Sequence, residues 1–265
     1  MKLVRDKMWE YVILMQNHDV LIKTHGEITQ ILKIYNGAND VSTELCLEDR
    51  CVACFQKNLG KLKLCPKNLN ETERLTCEAS DIHWGKGAIQ NILSRAAVDF
   101  HFDEIYVYPF IEQQNKRPYG VDEQLYSSLN INPEIRMPGR FHFKCRDYSQ
   151  SITRVVLRPY EFNRVWKLWK LIEFIFTGRY PYCSSGKVRH GVCIYGVEDL
   201  PFLAESNAIM ANKMLPDFDQ AVSSCISELL FNMTRDGSRI NTNFYENINA
   251  VRYHRERNNP GFNID

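Results

Sequence analysis

The sequence predicts a mixed α/β layered domain, and three observations lead to this fold class. Short apolar runs alternate along the chain with stretches whose apolar residues have helical spacing. Of the 265 residues, 44% are hydrophobic and 12% aromatic, which is ample for a packed core. No apolar run reaches the length of a membrane span, since charged residues interrupt even the most apolar segment, residues 165–176.

The first predicted elements are a strand and a capped helix. Residues 11–15 form a short apolar run that indicates a buried strand. Thr24 and Glu27 have the spacing of a capping box, and the helix that they open is expected to stop at Gly37. Residues 38–85 are polar and rich in cysteine, without a sustained period, and they predict a long loop region tied by disulfides.

Residues 86–102 allow two interpretations. The apolar positions from Ile89 to Phe100 have helical spacing, which favours one helix. Ser94 could equally cap a helix that follows a short strand. Both alternatives remain open from the sequence.

The later elements follow from the same reading. They are a helix from Asp122, a strand over 152–157, an amphipathic helix over 162–172, a strand over 192–195 and a final helix over 222–230. The tail after Asp236 is polar and is predicted to be loose.

Charge and cysteine content restrict the class of protein. The 33 basic and 32 acidic residues nearly balance, and no basic run marks a nucleic-acid-binding surface. Nine cysteines together with two sequons, at Asn70 and Asn232, favour glycosylation and disulfide formation in an oxidising compartment. The first residues lack the apolar core of a signal peptide, so we expect the targeting segment to lie upstream.

The acidic pair Asp122–Glu123 has two interpretations. Acidic residues in the first turn of a helix complement its dipole, and Asp122 is a good N-cap residue. Alternatively, one carboxylate projects into a cleft and accepts a proton from an attacking hydroxyl. Spacing and composition favour the capping role.

Three basic residues in the second half of the chain form another candidate site. Arg189 and His190 precede a predicted strand, and Lys213 follows the next apolar segment. Most single basic residues are solvated surface charges. The functional alternative is a clamp on a diphosphate, in which Arg binds two oxygens at once and Lys acts as a point charge.

Weaker motifs are read as structural. Asp217-Phe218-Asp219 has the D-x-D form of a metal–nucleotide site, but its place before the final helix favours capping. The Cys51–Cys54 pair has zinc-ligand spacing without a second pair, so a zinc site is the weaker alternative and disulfides are the better interpretation. Cys183 and Cys193 flank a segment that suits a hairpin closed by its own disulfide.

Four segments, in order, resemble the core-2/I-branching N-acetylglucosaminyltransferases, glycosyltransferase family 14. Residues 9–24 (WEYVILMQNHDVLIKT) resemble the family block around "DfPiKT", and residues 87–97 (GAIQNILSRAA) resemble "sGSayfvvSRe". Residues 119–139, with YGVDE, PE and PG, resemble "y-pDE…peipG". Residues 192–213, with VCIYGVEDL and ANK, resemble "vCiyGagDL…fANKf".

The resemblance implies a GT-A-like fold and an inverting, metal-independent transfer. N-acetylglucosamine would move from UDP-N-acetylglucosamine, the donor substrate, to a hydroxyl of a glycan acceptor, with no cofactor. Glu123 matches the family's general base, and Asp122 beside it is assigned to the acceptor side. Relatives that transfer xylose keep the donor sugar open.

The resemblance also assigns the remaining site residues. Lys213 matches the lysine that neutralises the leaving diphosphate. The matching arginine falls on Arg189, or on His190 when the extra residue between Cys183 and Cys193 is counted strictly; these two cysteines match a family disulfide. Tyr160 stands where the family has its second acceptor-binding aromatic residue, whereas the preceding Trp is replaced by Arg158.

The same comparison sets the expected organisation. Residues 1–235 match the C-terminal portion of a glycosyltransferase catalytic domain, and residues 236–265 form a polar tail. A domain incomplete at its N-terminus is therefore expected, with the stem and membrane anchor of a single-pass type II Golgi protein in the full-length parent. The alternatives are an inactive glycan- or protein-binding relative that lacks the nucleotide half, and a disulfide module around residues 46–77.

Overall fold

The computed structural model describes residues 5–45, 56–116, 120, 122–141, 151–157, 183–237, 240–259 and 262. The chain divides into two compact units. The first comprises residues 1–15, 30–153 and 240–265, and the second comprises residues 16–29 and 154–239.

Within the described residues, short strands alternate with helices, as the sequence predicts. The strands are β1 (Tyr11–Ile13), β2 (Asp19–Leu21), β3 (Glu44–Leu45), β4 (Gly85–Lys86), β5 (Ile92–Ser94), β6 (Arg154–Val155), β7 (Val188–Arg189), β8 (Val192–Cys193) and β9 (Met210–Asn212). The helices are α1 (His25–Tyr35), α2 (Glu71–Ala79), α3 (Arg95–Asp103), α4 (Tyr108–Gln114), α5 (Leu125–Ile131), α6 (Leu200–Glu205), α7 (Ala221–Asp236), α8 (Thr242–Glu246) and α9 (Asn249–Glu256). The mixed α/β class is confirmed.

The first unit is built on two antiparallel strand pairs and a helical core. Strand β1 pairs with β5, and β3 pairs with β4. The buried side chains of this core are mostly aliphatic: Leu59, Leu62, Leu64, Leu69, Ile82, Ala97, Phe100, Ile105, Phe110, Leu129, Ile135 and Met137. Because residues 59–69 contribute four leucines, the cysteine-bearing region forms part of the core.

The second unit contains a three-stranded sheet and a hairpin. Strand β9 is central, with β2 antiparallel on one side and β6 parallel on the other. Strands β7 and β8 form the hairpin. The core of this unit includes Ile22, Cys193, Tyr195, Leu203, Ala211, Met214, Val222 and Ile226.

Two sequence predictions about helix caps are confirmed. The backbone N–H of Thr24 donates to the Glu27 carboxylate at 2.8 Å, and the Glu27 N–H donates to the Thr24 hydroxyl at 3.1 Å. Ser94 ends strand β5, and its hydroxyl accepts a hydrogen bond from the Ala97 N–H at 3.3 Å. Of the two interpretations of residues 86–102, the short strand followed by a capped helix is therefore correct.

Two predictions of irregular structure are wrong. Helix α2 lies within the region predicted to be loop, and an Asn70–Glu73 capping box starts it. The tail after Asp236 is not loose, since its described residues form α8 and α9 and bury Tyr245 to 1% exposure. Within the part of the chain that the structure describes, no helix has the length and apolarity that crossing a bilayer requires.

Candidate functional site

The acidic pair lies in a turn before helix α5. The helix begins at Leu125, so the prediction that it starts at Asp122 is wrong. Gln124 occupies the N-cap position without a side-chain capping bond, and Asp122 is exposed. The helix does not start earlier because the Glu123 carbonyl accepts a hydrogen bond from the Gly87 N–H at 2.9 Å. This bond holds the Glu123 backbone against the chain that follows β4. Neither carboxylate belongs to the helix.

The Glu123 side chain is half-buried beside a lysine. Its Oε2 lies 3.6 Å from the Nζ of Lys86, with 29% of the Glu123 side chain and 27% of the Lys86 side chain exposed. An ionised carboxylate offers hydrogen-bond acceptors only. This one is reachable from solvent and oriented by an ion pair, as a proton acceptor requires.

Close packing between α5 and β4 fixes the backbone around Glu123. The Ser128 hydroxyl accepts a hydrogen bond from the Gly85 N–H at 3.0 Å, and the Ser127 hydroxyl donates to the Ser42 carbonyl at 2.9 Å. A Cβ on Gly87 would lie 1.6 Å from the Ser42 oxygen, a distance that no real contact allows. Glycine at position 87 therefore permits the approach that places Glu123.

The second unit holds a group of basic side chains around Lys213. Lys213 follows β9 and is half-exposed, while Arg154 is in β6 and Arg189 in β7. Burial lowers the pKa of Lys213, the positive charges of Arg189 and Arg154 lower it further, and Asp19 opposes them. Lys213 and Arg189 therefore lie close enough for the charge of Arg189 to lower the pKa of Lys213.

The hairpin separates the two candidates for the arginine position. Arg189 is the last residue of β7, whereas His190 lies in the turn with a φ of 52°. Cys183 and Cys193 form the disulfide that the sequence indicates, and it closes this hairpin. The positive charge of Arg189 lowers the pKa of Lys213.

Strand pairing connects two of the blocks that carry the family resemblance. In the β2–β9 register, Asp19 lies opposite Asn212, and the Asn212 amide donates a 2.7 Å hydrogen bond to the Asp19 carboxylate. Asn212 is 2% exposed and directly precedes Lys213. This contact fixes the backbone from which Lys213 projects.

The D-x-D segment has the capping role that the sequence favours. One Asp219 carboxylate oxygen accepts from the N–H groups of Ala221 and Val222, at 2.9 and 3.3 Å, in the first turn of α7. The other oxygen accepts from the Val197 N–H at 2.9 Å. Among the described residues, no cluster of three or more His, Cys, Asp or Glu side chains could hold a metal ion.

Several predicted residues cannot be placed in this geometry. Tyr160 and the Cys51–Cys54 pair lie outside the described residues. The sequon residue Asn70 is exposed and caps α2, where its side chain accepts from the Glu73 N–H at 2.9 Å. The second sequon residue, Asn232, is half-buried within α7. Their glycosylation stays a prediction.

Two residues of these sites were missed by sequence reasoning. Lys86 follows a buried glycine without any motif of its own, and pairing with Glu123 comes from β4 lying beside α5. Arg154 lies in a predicted strand, but its proximity to Lys213 depends on the parallel pairing of β6 with β9. Neither neighbour is visible in local spacing.

Comparison with known proteins decides the family. The Core-2/I-Branching enzyme family model matches residues 1–201. The chain belongs to the core-2/I-branching enzyme family. The matched span includes β1, β2, the Glu123 turn and the disulfide hairpin of this core-2/I-branching enzyme.

Curated relatives agree with this family. The chain is 27% identical to beta-1,3-galactosyl-O-glycosyl-glycoprotein beta-1,6-N-acetylglucosaminyltransferase 3 of Bos taurus, over 228 residues that cover 84% of this chain and 47% of the relative. The Ovis aries protein of the same name is also 27% identical, with the same coverage. A Bovine herpesvirus 4 (strain DN-599) beta-1,6-N-acetylglucosaminyltransferase is likewise 27% identical over 225 residues. The core-2/I-branching enzyme chain spans about half the length of the curated relatives it matches.

Proposed function

We propose that this protein is an inverting, metal-independent glycosyltransferase with a GT-A-like fold. It transfers N-acetylglucosamine from UDP-N-acetylglucosamine to a hydroxyl of a glycan acceptor, in the lumen of the Golgi. Its membership of the core-2/I-branching enzymes and the names of its relatives support the reaction class. The Cys65–Cys77 and Cys183–Cys193 disulfides support an oxidising compartment.

Glu123 is the proposed general base. As the acceptor oxygen forms its bond to the anomeric carbon, the bond from that carbon to the diphosphate breaks and the hydroxyl proton passes to the Glu123 carboxylate. A single displacement of this kind inverts the anomeric centre and forms no sugar–enzyme intermediate. The observation that carries the proposal is a solvent-reachable carboxylate that is not used for helix capping, at the residue that the resemblance assigns as the base.

Lys213 and Arg189 are the proposed diphosphate-binding residues. Negative charge develops on the diphosphate oxygens as the glycosidic bond breaks, and fixed positive charges stabilise it. Arg154 adds a third cation to this field. With this arrangement the cationic residues take the part that a divalent metal plays in metal-dependent transferases, while Asp122 and Tyr160 are proposed on the acceptor side.

The test compares substitutions of two glutamates, Glu123 and an exposed control. Glu123→Gln keeps the shape of the side chain and is expected to reduce transfer from UDP-N-acetylglucosamine by roughly 10² to 10⁴-fold, the usual contribution of a general base. UDP affinity, measured by calorimetry, is expected to stay unchanged. Glu112→Gln, at an exposed position of α4, is the matched control. Full activity of Glu123→Gln would exclude Glu123 as the base.

A further inference from the structure

A surface cavity on the first unit lies between α2 and a short 3-10 helix, Pro133–Ile135. Its volume is about 290 Å³, close to the lower end of the range for small-ligand sites. The walls include Thr72, Glu73, Thr76, Pro133, Glu134 and Arg136. Glu123 and Lys213 do not line this cavity, so it is separate from the residues proposed for sugar transfer.

Two carboxylates and one guanidinium line the cavity. The Glu73 Oε1 lies 2.8 Å from an Arg136 guanidinium nitrogen, and 33% of the Glu73 side chain and 51% of the Arg136 side chain stay exposed. The Glu134 Oε2 is buried and has no hydrogen-bond partner among the described residues. A buried acceptor without a donor costs stability. The cavity therefore suits an occupant that donates hydrogen bonds and also accepts one from Arg136.

The sequon residue Asn70 adjoins this cavity through Glu73. The Asn70 Oδ1 accepts from the Glu73 N–H at 2.9 Å, and the Glu73 Oε2 accepts from the Asn70 N–H at 3.2 Å. Asn70 is exposed, and its Nδ2 makes no hydrogen bond to any described residue. N-glycosylation attaches a sugar at Nδ2 and leaves Oδ1 as an acceptor. Asn70 is therefore able to cap α2 and carry a glycan at the same time.

We propose that the cavity holds the first N-acetylglucosamine of a glycan attached to Asn70. The glycan comes from a lipid-linked oligosaccharide in the secretory pathway. The Asn70 Nδ2 forms a bond to the anomeric carbon, the bond from that carbon to the lipid diphosphate breaks, and Nδ2 loses one proton. The inference needs passage through the secretory pathway, but it does not depend on the proposed transfer reaction.

The lining of the cavity matches the groups of this sugar. Hydroxyl groups donate to the carboxylates of Glu73 and Glu134, and the acetamide carbonyl accepts from Arg136. The exposed Pro133 offers apolar surface to the acetyl methyl group. Because the sugar is covalently held beside the cavity, its effective concentration is high, and a small contact area is enough to seat it.

The experiment compares the protein with and without its first sugar. The chain is produced behind a cleaved secretion signal, in cells that make only oligomannose glycans, and peptide mass spectrometry should find a glycan on Asn70. One sample is trimmed enzymatically to the first sugar. Another loses the whole glycan, which converts Asn70 to Asp, itself a good N-cap residue. We expect the single sugar to retain the Tm and its removal to lower the Tm by about 2–4 °C.

Substitutions then test the contact with the cavity. All samples carry Asn232→Gln, so that one sequon remains. In Arg136→Gln the difference in Tm between the single-sugar and sugar-free samples should shrink to roughly half, because the sugar loses a donor. Arg74→Gln is the matched control, since Arg74 is exposed on α2 and does not line the cavity. It should leave that difference unchanged.

Three results would overturn the proposal. They are an Asn70 without glycan, a Tm that does not change when the first sugar is removed, and equal effects of Arg136→Gln and Arg74→Gln on the difference. Transfer from UDP-N-acetylglucosamine is assayed separately on the same samples. A protein that transfers no sugar but shows the expected Tm differences would lose the proposed function alone.

Discussion

Single residues in this protein take roles that depend on which backbone carries them. Arg189 and His190 are adjacent in the sequence, but Arg189 ends a strand and His190 lies in the hairpin turn. Sequence spacing left both open for the diphosphate clamp. The charge of Arg189 lowers the pKa of Lys213, and on this ground we propose Arg189 for the clamp.

This assignment predicts a pKa change at Lys213. Arg189→Gln removes a positive charge that lowers the pKa of Lys213, so that pKa should rise. His190→Gln is the adjacent control and should leave it unchanged. An NMR titration of the Lys213 side chain measures both, and equal effects of the two substitutions would contradict the assignment.

The same pair of variants differs in its effect on UDP. Loss of a charged hydrogen-bond donor to the diphosphate should weaken UDP binding roughly ten- to hundred-fold in Arg189→Gln. His190→Gln should bind nearly as the parent does. Calorimetry with UDP is the measurement, and the reverse order would place the role on His190.

At the scale of elements, the sequence predicted those helices and strands whose signals are local. The Thr24–Glu27 capping box and the Ser94 cap are fixed by residues three apart, and both are confirmed. Helix α2 was missed because it buries just one residue, Cys77, and so has no apolar period. The start of α5 was misplaced because the Glu123 carbonyl pairs with Gly87, which is distant in sequence.

The residues of the candidate site also fall into those with a local sequence signal and those without one. Glu123 and Lys213 were proposed from their place in ordered motifs, and the Cys183–Cys193 disulfide was predicted from its short segment and is confirmed. Lys86 and Arg154 were not predicted, because their proximity to those residues arises from strand pairing and helix packing that local spacing does not encode.

The packing of α5 on β4 predicts a costly substitution at Gly87. A Cβ at this position meets the Ser42 carbonyl and the Ser127 hydroxyl, so Gly87→Ala must displace backbone. We expect a loss of about 1–3 kcal/mol in the free energy of unfolding, as for other overpacked sites. Gly26→Ala, in the first turn of α1 with its nearest neighbour atom at 4.0 Å, is the control and should be neutral or stabilising. Denaturant unfolding measures both variants.

Helix α9 is attached through a histidine whose tautomer is fixed by its partners. Arg257 can donate but not accept, so the Nδ1 of His254, 2.9 Å from it, must be the acceptor. The Nε2 of His254 then donates to the Asn36 carbonyl at 3.1 Å. Burial lowers the pKa of His254, the charge of Arg257 lowers it further, and the Asn36 carbonyl opposes them.

This attachment predicts a loss of stability in mild acid. The pKa of His254 is lower in the folded protein than its ordinary value of 6.5. Its contribution to stability is therefore complete when the pH is above 6.5 and is lost as the pH falls below 6.5. His254→Gln should therefore flatten the decline in the free energy of unfolding below about pH 6.5. His101, whose pKa burial also lowers, acts in the same direction, so His254→Gln/His101→Gln should flatten it further. Unchanged pH profiles in both variants would contradict this role.

At the scale of the whole molecule, residues 240–265 are part of the first unit and not an appendage. Tyr245, Ile248 and Val251 are at most 3% exposed. The sequence could not indicate this, because α8 and α9 bury few residues and are otherwise polar.

Truncation tests that role directly. A chain that stops after Asp236 should lose several kcal/mol in the free energy of unfolding, since removing large buried side chains costs roughly 2–5 kcal/mol each. Hydrogen exchange at the end of α1 should accelerate, because Asn36 loses its bond to His254. A chain that stops after Asn259 keeps both helices and should lose much less. Equal stability of the two truncated chains would show that α8 and α9 do not support the first unit.

The division of the chain also sets an order of events during synthesis. A ribosome completes residues 154–239, and with them the second unit, before it makes the last segment of the first unit. Domains generally fold as units while the chain emerges. Residues 30–153 therefore emerge before residues 240–265, which belong to the same unit and complete it after the second unit has been made.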